Sequence, residues 1–285
     1  MLYLLIVSLI WAFSFGIIKD HLTGLDPNFV SFARLFIALV IFLPLLRWRN
    51  LRLSVMSRLM FLGMIQYGLM YITYIFSFRY LQAYQVALFT IFTPLYVTLI
   101  HDLLQRKLHH RFLISALLSV AGTAIILFNT WQQVDLRLGF LLMQISNLCF
   151  AFGQIYYRRL MAELHGCSDA SVFALLYLGA VLLTGLVSLF TTDYSYITLQ
   201  SGQIYALLYL GILASGISFF LWNVGARKTN AGILAVFNNI KIPLAVAVSL
   251  LFFKEEADLT RLLGGGVVLI VALLINHDKF FKTRV

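Results

Sequence analysis

Charge is what this sequence has least of. Only 11% of its 285 residues are charged, against about 25% in a typical soluble domain. Meanwhile 61% are apolar and the mean hydropathy is +0.92. One soluble core cannot bury that much apolar surface, which excludes a soluble globular enzyme; disorder is excluded by the same low charge and the 15% aromatic content. Cysteine is scarce too. Cys149 lies in an apolar run and Cys167 in a polar loop, so there is no disulfide framework. His165 stands two residues from Cys167 with no second pair, which does not match zinc spacing. The run from Leu2 to Ile18 lacks a basic start and a small-residue cleavage site, so a retained first span is expected rather than a signal peptide. No Ser/His/Asp or Cys/His set gathers at one depth. Gly264-Gly265-Gly266 lacks the Lys and Ser/Thr that follow a phosphate loop and is expected to permit close helix packing. The sequence therefore calls for no catalytic site, no metal and no cofactor.

What is present is a series of long apolar runs. Hydropathy and punctuation predict spans near 2–18, 29–46, 57–78, 83–103, 111–128, 137–157, 171–190, 203–224, 231–252 and 260–276. They must be helices, because a lipid-exposed backbone has to satisfy its own hydrogen bonds. A transmembrane barrel is excluded because the runs do not alternate. The expected fold is an all-α polytopic membrane protein with ten transmembrane helices.

The net charge of +10 would suit a nucleic acid, but in a membrane protein it has a plainer source. Basic residues gather on cytoplasmic loops. With the N-terminus inside, fourteen fall on inner segments, among them Arg47, Arg52, Arg58, Arg106, Lys107, Arg158, Arg159, Arg227 and Lys228. Five fall outside: Lys19, Arg79, Arg137, Lys254 and Arg261. This bias predicts N-in and C-in and removes the need for a nucleic-acid partner. Arg34 and Lys241 are left inside spans, and all eleven acidic residues fall in loops or at span ends.

The chain also repeats. A shift of 148 residues sets Gly68 on Gly216, Ala83 on Ala231, Ala87 on Ala235 and Phe89 on Phe237. A shift of 137 sets Phe13-Ser14-Phe15-Gly16 on Phe150-Ala151-Phe152-Gly153. The collinear matches predict two five-helix repeats, 1–130 and 131–285. An odd number of crossings inverts the second copy, and inverted repeats bind substrate near the midplane where they meet.

Lys241 lies about ten residues into its span, roughly 15 Å deep, at the bilayer centre. A Lys there should face a cavity and have a partner. No membrane carboxylate is at hand, so either the missing anion is a substrate or the side chain snorkels or is held by carbonyls and water. Asn238 is one helical turn away and Asn239 is close by, and Pro243 leaves the carbonyl of Asn239 free. Arg34 is six residues inside the outer end of its span, either snorkelling or drawing anions in at the mouth. Tyr67, Tyr71 and Tyr74 form a stripe that the 148 shift maps onto Ser215, Phe219 and Trp222. Two such walls would suit a flat ring with polar edges, or simply pack together. Gln144, Asn147 and Gln154 on the sixth span, with Gln66, Gln85, Thr90 and Thr93, either bind polar groups or bond helix to helix.

With these features in hand, the chain resembles the drug/metabolite transporter superfamily, in its ten-span EamA-like branch. The resemblance rests on the 5+5 repeat, WAFSFG (Trp11 to Gly16), Arg34, and TPLY (Thr93 to Tyr96). Within that branch it is most similar to the bacterial biotin importers, through LFTIFTPLYVTLIHD (Leu88 to Asp102), QISNLCFAFGQIYYRRLM (Gln144 to Met161), ASGISFFLWNVGA (Ala214 to Ala226) and AVFNNIKIP (Ala235 to Pro243). The resemblance implies a multi-pass carrier of the bacterial inner membrane. It would import a small carboxylate-bearing metabolite, biotin first, by alternating access. On that implication Lys241 binds the carboxylate, and Asn238, Asn239 and Asn147 serve the ureido-like edges. Tyr71, Tyr74 and Trp222 pack the apolar body, with Arg34 near the outer mouth. The importer pattern carries His where this chain has Lys241. Lys holds its charge at neutral pH, so anion recognition is kept and a shared proton-coupled mechanism loses its support. The rival within the superfamily is an exporter or exchanger of amino acids or related metabolites. Rivals of another class are a membrane-embedded enzyme, which would need the missing acid/base cluster, and a scaffold, which would not need a midplane Lys. The expected partners are the small-molecule substrate and the lipid bilayer.

Overall fold

The computed structural model describes residues 2–48, 51–105, 134–164, 167–228, 231–254 and 259–275, with positions 114, 118, 121 and 125 between. These residues form long helices and no strand. In chain order they are α1 (Leu2–Leu22), α2 (Pro27–Leu45), α3 (Leu53–Ser77), α4 (Ala83–Leu104), α5 (Asp135–Glu163), α6 (Asp169–Thr191) and α7 (Ser201–Arg227), then α8 (Ala231–Phe252) and α9 (Leu259–Ile275). The first seven are long and apolar enough to cross a membrane. The span expected at 111–128 lies for the most part outside the described residues; the four described positions in it are helical.

Local chemistry sets the helix starts. Asp26 precedes Pro27, and its Oδ1 accepts from the backbone N–H groups of Asn28 and Phe29, each at 3.0 Å. The Ser168 side chain does the same for α6 by accepting from Ser171. Gln82 with Gln85, and Gln200 with Gln203, close capping boxes on α4 and α7.

Within α3, α4 and α7 the ladder is irregular. Residues Met64–Leu69 of α3 and Leu210–Ile217 of α7 take wide π-type turns, and Thr90–Phe92 of α4 tightens to a 3₁₀ turn. Such turns cost regular hydrogen bonds and recur at functional sites. In α7 the carbonyls are taken up by side chains. Trp11 donates to Ala214 O at 2.9 Å, and the Tyr177 hydroxyl donates to the carbonyls of Ser215 and Gly216 at 2.7 and 2.8 Å.

α1 packs on α7 and α8, α2 on α6 and α7, α3 on α5 and α6, and α4 on α5 and α8. The α3–α6 contact is close enough to need glycine on both sides. A Cβ on Gly63 would fall 1.8 Å from the Leu176 carbonyl oxygen, and one on Gly179 would fall 1.9 Å from that of Met60. Small residues bring membrane helices together in this way. In the glycine run of α9, a Cβ on Gly264 would meet nothing within 4 Å among the described residues.

Large apolar side chains such as Leu5, Leu9, Phe36, Val40, Phe190 and Leu251 stay exposed around the outside. On a soluble protein such a surface would aggregate; here it is the face a helix bundle turns to lipid. The chain is an all-helical, polytopic membrane protein.

Candidate functional site

The helices leave a cavity between them with about 540 Å³ of space not filled by atoms, part of it open. α1 contributes Trp11, Ser14 and Phe15; α3 contributes Met70, Tyr71 and Tyr74; α4 contributes Thr90 and Thr93. Met143, Ser146, Asn147 and Phe150 come from α5, Phe219 from α7, and Arg34 from α2. Arg34 is the charged residue in this lining.

Arg34 is 2% exposed, so it does not reach out to solvent. Its Nη2 donates to the Tyr71 hydroxyl at 2.9 Å, and its guanidinium carbon stands 4.7 Å from the centre of the Tyr71 ring. A desolvated cation over an aromatic face gains about 2 kcal/mol, which offsets only part of the cost of burying the charge. Its Nε and Nη1 find no hydrogen-bond partner among the described residues. A buried guanidinium with donors to spare, bordering a cavity, has the chemistry to hold an anion.

Among the described residues the rest of the lining is neutral. Tyr74 stacks edge-on against Phe15 and Phe78, with centroids 6.2 and 5.2 Å away. Trp11 packs against Trp222 at 5.0 Å, Phe219 at 5.2 Å and Phe150 at 5.9 Å. Outside this lining lies a seam of buried polar side chains. There Gln66 donates to Asn223 at 3.3 Å, Asn223 donates to the Tyr67 hydroxyl, and Asn238 donates to Gln154 at 3.5 Å.

The structure brings together only some of the residues singled out from the sequence. Arg34, Tyr71, Tyr74 and Asn147 border the cavity. The Asn147 amide is engaged, donating to Phe89 O at 2.8 Å and accepting from Thr93 at 3.1 Å, so it braces the 3₁₀ turn of α4. Trp222 is fully buried behind Trp11 and Phe150 rather than on the lining. Asn238 belongs to the polar seam. Lys241 and Asn239 lie within α8, but their side chains fall outside the described residues. The two stripes from α3 and α7 do meet: Tyr71 bonds Ser215 at 2.7 Å and Tyr67 lies 4.8 Å from Phe219.

Sequence reasoning missed Trp11, Ser14 and Phe15 as lining residues. The signal was the short WAFSFG stretch, noticed as a family mark and not as a wall. It also missed that Asp102, at the last turn of α4, is only 6% exposed.

Relatives agree with this architecture. A Pseudomonas aeruginosa protein named probable biotin transporter is 37% identical over 279 residues, 97% of each chain. Proteins named biotin transporter from Salmonella typhimurium and Escherichia coli are each 35% identical over 100% of this chain and 95% of their own. A crystal structure of 16% identity, covering 99% of this chain and 98% of its own, superposes with a TM-score of 0.74 and so shares the fold. The sequence model of the EamA-like transporter family matches residues 1–128 and 137–277. Matched in both stretches and along its whole length, the chain belongs to the EamA-like transporter family and is a multi-pass membrane transporter, not an enzyme.

Proposed function

We propose that this transporter imports a small carboxylate-bearing metabolite, biotin, across the bacterial inner membrane, and that the central cavity is its binding site. The observation that carries the proposal is Arg34, a 2%-exposed cation with two nitrogen donors unpartnered among the described residues, bordering an aromatic cavity whose other described lining residues are neutral. The carboxylate takes the free N–H groups of Arg34, and Tyr71, Tyr74 and Trp11 pack the apolar body. Asn147 lies beside the ring's polar edge. Lys241 keeps the role its depth suggests, a second cation for the same carboxylate, with Asn238 and Asn239 beside it and Trp222 backing the aromatic wall. The names of the relatives from Pseudomonas aeruginosa, Salmonella typhimurium and Escherichia coli favour biotin.

The mechanism we infer is alternating access between two inverted five-helix halves, 1–130 and 131–285, ten spans in all with both termini inside. Several features support it. The wide turns of α3 and α7 overlap under the 148 shift. Gly68 meets Ala180 of α6, and Gly216, 148 residues on, meets Ala38 of α2. Arg79 faces Asp26 at 3.8 Å at one end of the bundle, and Arg227, again 148 residues on, bonds Asp169 at 2.6 Å at the other. The family match also comes in two stretches.

The test is uptake of radiolabelled biotin into bacteria that lack their own biotin synthesis and import. Saturable uptake, competed by unlabelled biotin, is expected. Uptake no faster than in cells without the protein, at verified membrane levels, would refute the substrate; better competition by another carboxylate would reassign it.

A further inference from the structure

The hydroxyl of Tyr71 has two partners, and the direction of its hydrogen bonds can be worked out. Ser215 has one hydroxyl proton, and Ser215 Oγ donates to the carbonyl of Leu210 at 2.7 Å. The 2.7 Å contact between Ser215 Oγ and Tyr71 Oη must then carry the Tyr71 proton. That leaves only lone pairs on the phenol oxygen for Arg34, whose Nη2 lies 2.9 Å away. The chain runs one way: Arg34 to Tyr71, to Ser215, to a main-chain carbonyl inside the wide turn of α7. It links α2, α3 and α7, and every member is buried.

Arginine has a long, flexible stem and stands seven residues from the start of α2, roughly 10 Å from that end. Its depth alone would let it turn outward to water. What keeps it at the cavity is Tyr71, which offers the guanidinium a ring face and an oxygen that can only accept. We propose that Tyr71 is the positioning residue for Arg34 and that Ser215 sets its polarity. Selection of an anion over its neutral analogue then depends on a hydroxyl that acts through the arginine. The inference rests on the anion-binding reading of Arg34 given above.

The test compares kinetics of biotin uptake and its inhibition by biotinamide in the wild type, Arg34→Gln, Tyr71→Phe and Ser215→Ala, at matched protein in the membrane. Tyr71→Phe keeps the ring and removes the hydroxyl. It should raise the KM for biotin about fivefold or more while Vmax and the inhibition constant of the amide change less than about twofold. Ser215→Ala should show the same split more weakly, and it carries the test if Tyr71→Phe does not reach the membrane. The double variant Arg34→Gln/Tyr71→Phe should be no worse for biotin than Arg34→Gln alone. Equal losses for acid and amide in Tyr71→Phe, or an additive double variant, would overturn the positioning role while leaving Arg34 as the anion site. If Arg34→Gln does not change the acid-to-amide ratio, the anion reading fails and the inference with it.

Discussion

Arg34 and Tyr71 are donor and acceptor 2.9 Å apart, and the same ring lies 4.7 Å under the guanidinium carbon. A cation so held within a membrane protein is costly, because its donors are only partly used. Proteins carry such costs at sites where function needs them. The relationship therefore makes a statement about stability as well as about binding.

Arg34→Met keeps an apolar stem and removes the buried charge. Tyr71 retains Ser215 as a partner, so no new unpaired group is left. Thermal unfolding of the purified variant without substrate should occur at or above the wild-type temperature. A Tm lower by about 5 °C or more would mean that Arg34 is chiefly structural.

The two ion pairs at opposite ends of the bundle should differ in strength. Asp169 accepts from Arg227 at 2.6 Å and from Tyr157 at 2.7 Å, and its side chain is 18% exposed. Asp169→Asn should destabilise by about 1.5–3 kcal/mol, the range for hydrogen bonds to a charged group. The Arg79–Asp26 pair is longer and more exposed, and Asn can still cap α2, so Asp26→Asn should cost under about 1 kcal/mol. Unfolding of both variants in the same detergent checks the order, which a larger loss for Asp26→Asn would reverse.

Gly179→Ala places a methyl group against the Met60 backbone, where no flexible side chain can give way. Folded protein recovered from membranes should drop severely, as overpacking of a tight contact predicts. Gly264→Ala, with nothing within 4 Å among the described residues, should be recovered at wild-type levels. Fluorescence-detected gel filtration of the two, side by side, distinguishes them.

Orientation is read from the basic bias. In a background without Cys149 and Cys167, Tyr196→Cys in the exposed α6–α7 loop should react with an impermeant maleimide applied to intact cells. Arg52→Cys, at the start of α3, should react only after the membrane is opened. The opposite pattern would invert the topology.

Much of this architecture is legible in the sequence because lipid imposes it locally. Each span must close its own hydrogen bonds and show apolar side chains, so runs such as 171–190 announce α6 within a few residues. The Tyr67–Tyr71–Tyr74 stripe and its images at Ser215 and Phe219 are also visible as spacing. What the sequence does not carry is direction across the bundle. By depth, Arg34 could snorkel; only the approach of Tyr71 from another helix turns it inward. Asn147 looks like a free amide until the 3₁₀ turn of α4 supplies Phe89 O and Thr93. Trp11 is one apolar residue among many until α7 widens beside it and offers the Ala214 carbonyl. Each of these depends on a partner distant in the chain, set by packing and not by local pattern.

The central claim is that Arg34 binds the carboxylate of the substrate. Equilibrium binding of tritiated biotin to the purified protein in lipid nanodiscs, wild type against Arg34→Gln, tests it most directly. Losing a charge-assisted hydrogen bond of about 1.5–3 kcal/mol should raise the Kd by roughly tenfold or more, while competition by biotinamide stays nearly unchanged. An Arg34→Gln variant that is folded and binds biotin with the wild-type Kd would contradict the account.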